Sequence, residues 1–193
     1  EGVDLRTLPV LADGLVDMAA LAAAIDDQTA LVSVMAVNNE IGVIQPLAEI
    51  AALCRRHGTL LHSDIAQAFG KMPVDVRALG VDLMSISGHK IYGPKGVGAL
   101  YVRNLGQRHL VPHMDGGGQE AGIRSGTLSP ALCVGLGKAA TIAQLEMAQD
   151  AARAARQWDL LLSGLRARCP DLVVNGSLEH RLKTNLNVSF PNV

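Results

Sequence analysis

Aromatic side chains are scarce in this 193-residue chain: 2 Phe, 2 Tyr and 1 Trp, or 3%. A core built around stacked rings is therefore excluded, and with a hydrophobic fraction of 49% the interior must be Ala, Val, Leu and Ile. Such aliphatic cores suit α/β proteins with a buried, mostly parallel sheet. Cysteine is scarce too. Cys54, Cys133 and Cys169 are odd in number, far apart and without metal-ligand spacing, which excludes a disulfide framework and a zinc site. They read as thiols in a reducing compartment, so a cytoplasmic location is expected. Excess charge of either sign is also lacking: 17 basic and 18 acidic residues leave a net charge of −1. No nucleic-acid face is expected, and a small polar substrate fits better than a polymer. No apolar run approaches the roughly 18 residues of a membrane span, and no signal peptide is visible, so no membrane partner is expected.

What is present is an alternation of strand-like and helix-like stretches. Leu15–Ile25 has helical periodicity, and Ala30–Val37 is a short apolar run of the kind buried strands use. Pro46 opens a helix through Arg56 that Gly58 ends. Thr59–His62, Val81–Ile86 and Val97–Val102 read as further strands, with a short turn or helix at Val74–Leu79. Ser129–Ala167 is Ala- and Leu-rich and long for one helix, so a break is expected near Ala148–Ala152. Val173–Val174 and Leu186–Phe190 read as late strands. The expected fold is α/β: a three-layer open sheet, mostly parallel, over residues 1–148, with the start of a small α+β domain over 149–193.

In open α/β sheets ligands sit beyond the carboxyl ends of the strands. Three strands here end in polar clusters: Asn38-Asn39-Glu40, His62-Ser63-Asp64-Ile65-Ala66-Gln67 and Ser87-Gly88-His89-Lys90. Parallel neighbours would bring Asn39, Asp64, Gln67, His89 and Lys90 to one crevice. A partly desolvated lysine at a strand end is nucleophilic toward carbonyls. A carboxylate beside it can keep a ring nitrogen protonated. That pair is the mark of pyridoxal 5′-phosphate chemistry. Asn39 and Gln67 suit the cofactor's phenolic oxygen; Ser87 and His89 suit its phosphate and ring face. Taken singly, Lys90 is an ordinary solvated lysine, Asp64 a turn residue, Asn39 a loop residue and His89 a structural histidine. Only their joint arrival at strand ends makes them a site. Gly93–Gly98 lacks phosphate-loop spacing and reads as a turn before a strand. His62 and Asp64 find no third ligand, so no metal is expected. Asp115–Ser125 is a glycine-rich loop.

The runs Val37–Gly42 (VNNEIG), His62–Gln67 (HSDIAQ), Ser85–Gly98 (SISGHKIYGPKGVG) and Gly116–Leu128 (GGGQEAGIRSGTL) resemble those of cysteine desulfurases. These are class V, fold-type I pyridoxal-phosphate enzymes. The resemblance spans nearly the whole chain, and Ile65-Ala66 is a mild departure. It implies conversion of L-cysteine to L-alanine, with the sulfur passed as an enzyme persulfide to an acceptor or iron–sulfur scaffold protein. Lys90 would be the Schiff-base lysine and Asp64 the partner of the pyridine nitrogen. Gln67 and Asn39 would contact the phenolic oxygen, and Asn39 also the substrate carboxylate. Ser87 and His89 would bind the phosphate. Thr127 would reach the phosphate of the partner's cofactor in a homodimer. Selenocysteine lyases and cysteine sulfinate desulfinases share the class, and a non-catalytic truncated scaffold is a further alternative. The resemblance also implies a phosphate-binding turn and a ring-stacking histidine before Glu1, and the sulfur-accepting cysteine after Val193. None of the three cysteines lies in a matching context. The chain is thus expected to be the central segment of such an enzyme, inactive by itself.

Overall fold

The computed structural model describes residues 2–105 and 110–191; Glu1 and Val193 lie outside them. Helix α1 (Met18–Ala24) is shorter than its periodic pattern because Asp17 caps it, its Oδ1 accepting from the amides of Ala19 and Ala20. Strand β1 (Leu31–Ser33) covers only part of Ala30–Val37. Beyond it the chain stays tied to the next strand, with the Val34 amide donating to His62 O and the Ala36 amide to Asp64 O. Helix α2 (Leu47–Arg56) follows Pro46. It buries Leu47, Ile50, Ala51 and Cys54 on one stripe, and Glu49 and Arg55 complement its dipole at opposite ends. Gly58, at φ 67°, makes the exit that a Cβ would strain.

Strand β2 (Leu60–Asp64), helix α3 (Val76–Leu79) and strand β3 (Leu83–Ser87) follow. β1, β2 and β3 are parallel neighbours, as expected of strands joined through helices. β3 and β4 (Gly98–Val102) are joined by a tight turn instead, and β4 is antiparallel. The sheet order is β1-β2-β3-β4. Val32, Leu61 and Met84 point to the face covered by Leu21, Ile25, Ile50 and Cys54, which together form the main core. The alternate positions Leu31, Ser33 and Leu100 remain exposed on the other face.

The expected break at Ala148–Ala152 is absent. Helix α4 runs without interruption over 39 residues, Pro130–Arg168. The segment AQDAA holds neither Gly nor Pro, and nothing in it stops i→i−4 bonding. A stripe of small residues seats α4 against the sheet's loops: Gly135 lies against Pro94, Ala139 against Gly93 and Ala143 against Gly70. The far half of α4 contributes Trp158 and Leu162 to a second apolar cluster with Leu172. This cluster lies beside the small antiparallel pair β5 (Val173–Val174) and β6 (Val188–Ser189). A boundary between residues 148 and 149 falls inside α4.

Candidate active site

The parallel order of β1, β2 and β3 sets their three polar ends side by side. Lys90 stands on a single 3-10 turn, Gly88–Ile91, that begins directly at the end of β3. Two glycines make that turn possible. A Cβ on Gly93 would lie 2.8 Å from Gly88 O, which accepts a hydrogen bond from the Gly93 amide, and a Cβ on Gly88 would lie 2.9 Å from Val97 O. Tyr92 closes the turn in the left-handed region at φ 62°, a conformation non-glycine residues seldom adopt. The GPKG segment is therefore the turn before a strand that its sequence suggests.

Lys90 lines a cleft of about 760 Å³ between these strand ends, α4 and residues 182–186. Asn39 and Gln67 line it as well. So do Lys71, Glu146, Asp150, Trp158 and Asn185, none of which the sequence singles out. The two adjacent asparagines divide their work. Asn38 Oδ1 accepts from the amides of Glu40 and Ile41 and so builds the turn. Asn39 makes no side-chain hydrogen bond among the described residues and is available to a ligand.

Asp64, Ser87 and His89 do not line this cleft. Strand alternation puts Asp64 and Ser87 on the exposed sheet face, whereas the turns after the strands carry Gln67 and Lys90 toward α4. Asp64 Oδ1 accepts from the Ala66 amide at 2.8 Å, so it also serves as a turn residue. Ser87 Oγ and His89 Nδ1 are 3.1 Å apart. Thr127 is exposed on the loop before α4 and lies off the cleft. The strand ends thus present one group of residues to the cleft and a second group to the open sheet face.

Among the described residues no group of His, Cys, Asp or Glu has metal-binding geometry. No cysteine lines the cleft. Cys54 is buried, and burial pushes its thiol above the ordinary value. Cys133 is exposed on α4, and Cys169 is half-buried at its end. No described helix is long and apolar enough to cross a membrane.

The aminotransferase class-V family model matches residues 1–193. This chain belongs to that family. The class-V membership carries the expected fold with it, a mostly parallel α/β sheet of the fold-type I kind. A curated protein named cysteine desulfurase IscS from Rickettsia bellii (strain OSU 85-389) is 53% identical over all 193 residues. They make up 47% of that relative, so the chain spans about half the length of the curated relatives it matches. A solved NifS-like protein superposes with a TM-score of 0.92 at 38% identity, covering 100% of this chain and 52% of the other. DndA from Streptomyces lividans gives 0.85 at 42% identity, covering 96% and 52%. The likeness to cysteine desulfurases read from the sequence is borne out in these relatives.

Proposed function

We propose that this class-V chain is the cofactor-binding segment of a pyridoxal-phosphate-dependent cysteine desulfurase. The whole enzyme converts L-cysteine to L-alanine and passes the sulfur, as a persulfide on an enzyme thiol, to an acceptor or iron–sulfur scaffold protein in the cytoplasm. The observation that carries this reading is the Lys90 turn. A glycine-bound 3-10 turn at a strand end aims one lysine at a cleft shared with Gln67 and Asn39.

Lys90, Gln67 and Asn39, which share the cleft, suit the cofactor's aldehyde and phenolic oxygen, and the remaining contacts would come from residues beyond the cleft lining. Lys90 Nζ would supply the amine for the cofactor's aldehyde. Asp64, at the end of β2 on the open sheet face, would be the carboxylate that pairs with its ring nitrogen. Gln67 and Asn39, which line the cleft with Lys90, would donate to its phenolic oxygen, and Asn39 also to the substrate carboxylate. Ser87 and His89, 3.1 Å apart at the end of β3, would donate to the phosphate, and Thr127 would reach the phosphate bound by a second copy. When bound, pyridoxal phosphate supplies an electron sink for charge at the substrate's α-carbon. A homodimer, with Thr127 serving the second copy, belongs to the same reading.

The experiment is reductive trapping. After incubation with pyridoxal phosphate and borohydride, the cofactor's mass should be found on the peptide carrying Lys90, and Lys90→Ala should abolish it. The 193-residue chain alone should release no alanine from cysteine, since no thiol lines its cleft. Label on another lysine overturns this reading, and steady alanine release by the chain overturns its expected inactivity.

A further inference from the structure

Lys71 lies four residues after Gln67, at the close of the turn that follows β2. Its Nζ donates to Gln67 Oε1 at 2.7 Å. An ammonium has three donors and no acceptor, so the amide atom facing it must be the oxygen. The geometry therefore fixes the orientation of the Gln67 amide: its NH₂ turns away from Lys71. Both residues line the cleft with Lys90 and Asn39. Lys71 is half-buried, and burial first, then the charge of Lys90, pulls its ammonium below the ordinary lysine value. Among the described residues no carboxylate forms an ion pair with it. The structure thus keeps a cation in a partly desolvated place where its visible employment is one amide oxygen. A charge-assisted hydrogen bond to that oxygen polarises the amide and strengthens its N–H groups as donors.

We propose that Lys71 is a positioning residue that holds the Gln67 amide with its NH₂ toward an anionic oxygen in the cleft. The inference rests on the reading above, in which that oxygen is the phenolic oxygen of pyridoxal phosphate. A lysine that merely ties the turn together would change stability without touching the bound cofactor.

The test uses the holoenzyme and reads cofactor affinity and the visible absorption band of bound pyridoxal phosphate. Lys71→Met should weaken cofactor binding about tenfold, the scale of one lost charge-assisted hydrogen bond. It should also shift the band to shorter wavelength, as the anionic oxygen loses its donor. Lys71→Arg keeps charge and donor and should recover most of both. Gln67→Ala should resemble Lys71→Met, and the double variant should be no worse than Gln67→Ala alone, because Lys71 acts through Gln67. A Lys71→Met enzyme with unchanged band and affinity overturns the proposal, as does a double variant whose losses add. If Lys71→Met does not fold, Lys71→Ala, which also removes both charge and donor, carries the same comparison. Failure of the unsubstituted enzyme to show the band or to trap the cofactor on Lys90 sinks the cofactor reading instead.

Discussion

His62 stands between two serines on the exposed face of the sheet. Its Nδ1 lies 2.8 Å from Ser33 Oγ on β1 and its Nε2 2.7 Å from Ser85 Oγ on β3. A neutral imidazole has one donor and one acceptor nitrogen, and two hydroxyls can satisfy both. Burial pushes His62 below its ordinary value of 6.5, and the Asp64 carboxylate pulls it back only in part. The unfolded chain therefore binds a proton here before the folded chain does. The stability His62 contributes is full above that ordinary value and is lost as pH falls through it toward the folded one. Urea midpoints at about pH 7.5 and about pH 5.5 should show a loss on the acid side, and His62→Gln should flatten it. An equal loss in the variant assigns the acid limb to other groups. At this scale the sequence was partly legible. Lys90, Gln67 and Asn39 were readable as polar residues closing apolar strands. Lys71 was not, because a lysine four residues from a glutamine is an ordinary solvated residue until a turn brings the two together.

The elements that hold the cleft meet through small residues. A Cβ at Gly135 would lie 2.5 Å from Pro94 Cγ, whereas one at Gly137 would meet nothing within 4 Å. Both glycines sit in the same helix, so propensity alone favours alanine at each by about 1 kcal/mol. We expect Gly137→Ala to raise stability by roughly that amount. Gly135→Val should lower it by about 1–3 kcal/mol, the cost of overpacking, and loosen the Lys90 turn that Pro94 adjoins. Thermal unfolding and borohydride trapping at Lys90 measure the two effects; a Gly135→Val protein as stable and as readily trapped as the parent removes the argument. The break expected in α4 came from length alone. Length exerts no force, and Ala148–Ala152 supplies no residue that would interrupt the helix.

Across the molecule, the segment after α4 clips onto the turn that carries Asn39. Leu182 N donates to Gly42 O and Ile44 N to His180 O, each at 2.9 Å. Arg181, only 7% exposed, donates to Ile41 O at 2.8 Å and Ser177 O at 3.2 Å, and stacks 5.3 Å above the Trp158 ring. Asn185 Nδ2 adds a hydrogen bond to Glu40 O at 2.9 Å. Removing the guanidinium leaves buried carbonyls without donors, at about 1–3 kcal/mol each. Arg181→Met should therefore destabilise the chain by at least that amount and speed hydrogen exchange at the Ile44 and Leu182 amides. Unchanged exchange there shows that the clip does not depend on Arg181.

By itself the sequence determined the strand and helix alternation, the polar ends of the strands and the turn from Gly93 that follows Lys90. These follow from local causes: periodicity, caps such as Asp17, and glycines at Gly88 and Gly93 where a Cβ would collide. Only the tertiary structure decided which polar residues share a cleft. Strand alternation turns Asp64 and Ser87 to one side, and the loops turn Gln67 and Lys90 to the other. The clip from Arg181 to Ile41 spans 140 residues, and the Gly135–Pro94 contact joins a helix to a distant turn. No local pattern encodes such pairings, because each is fixed by how whole elements pack.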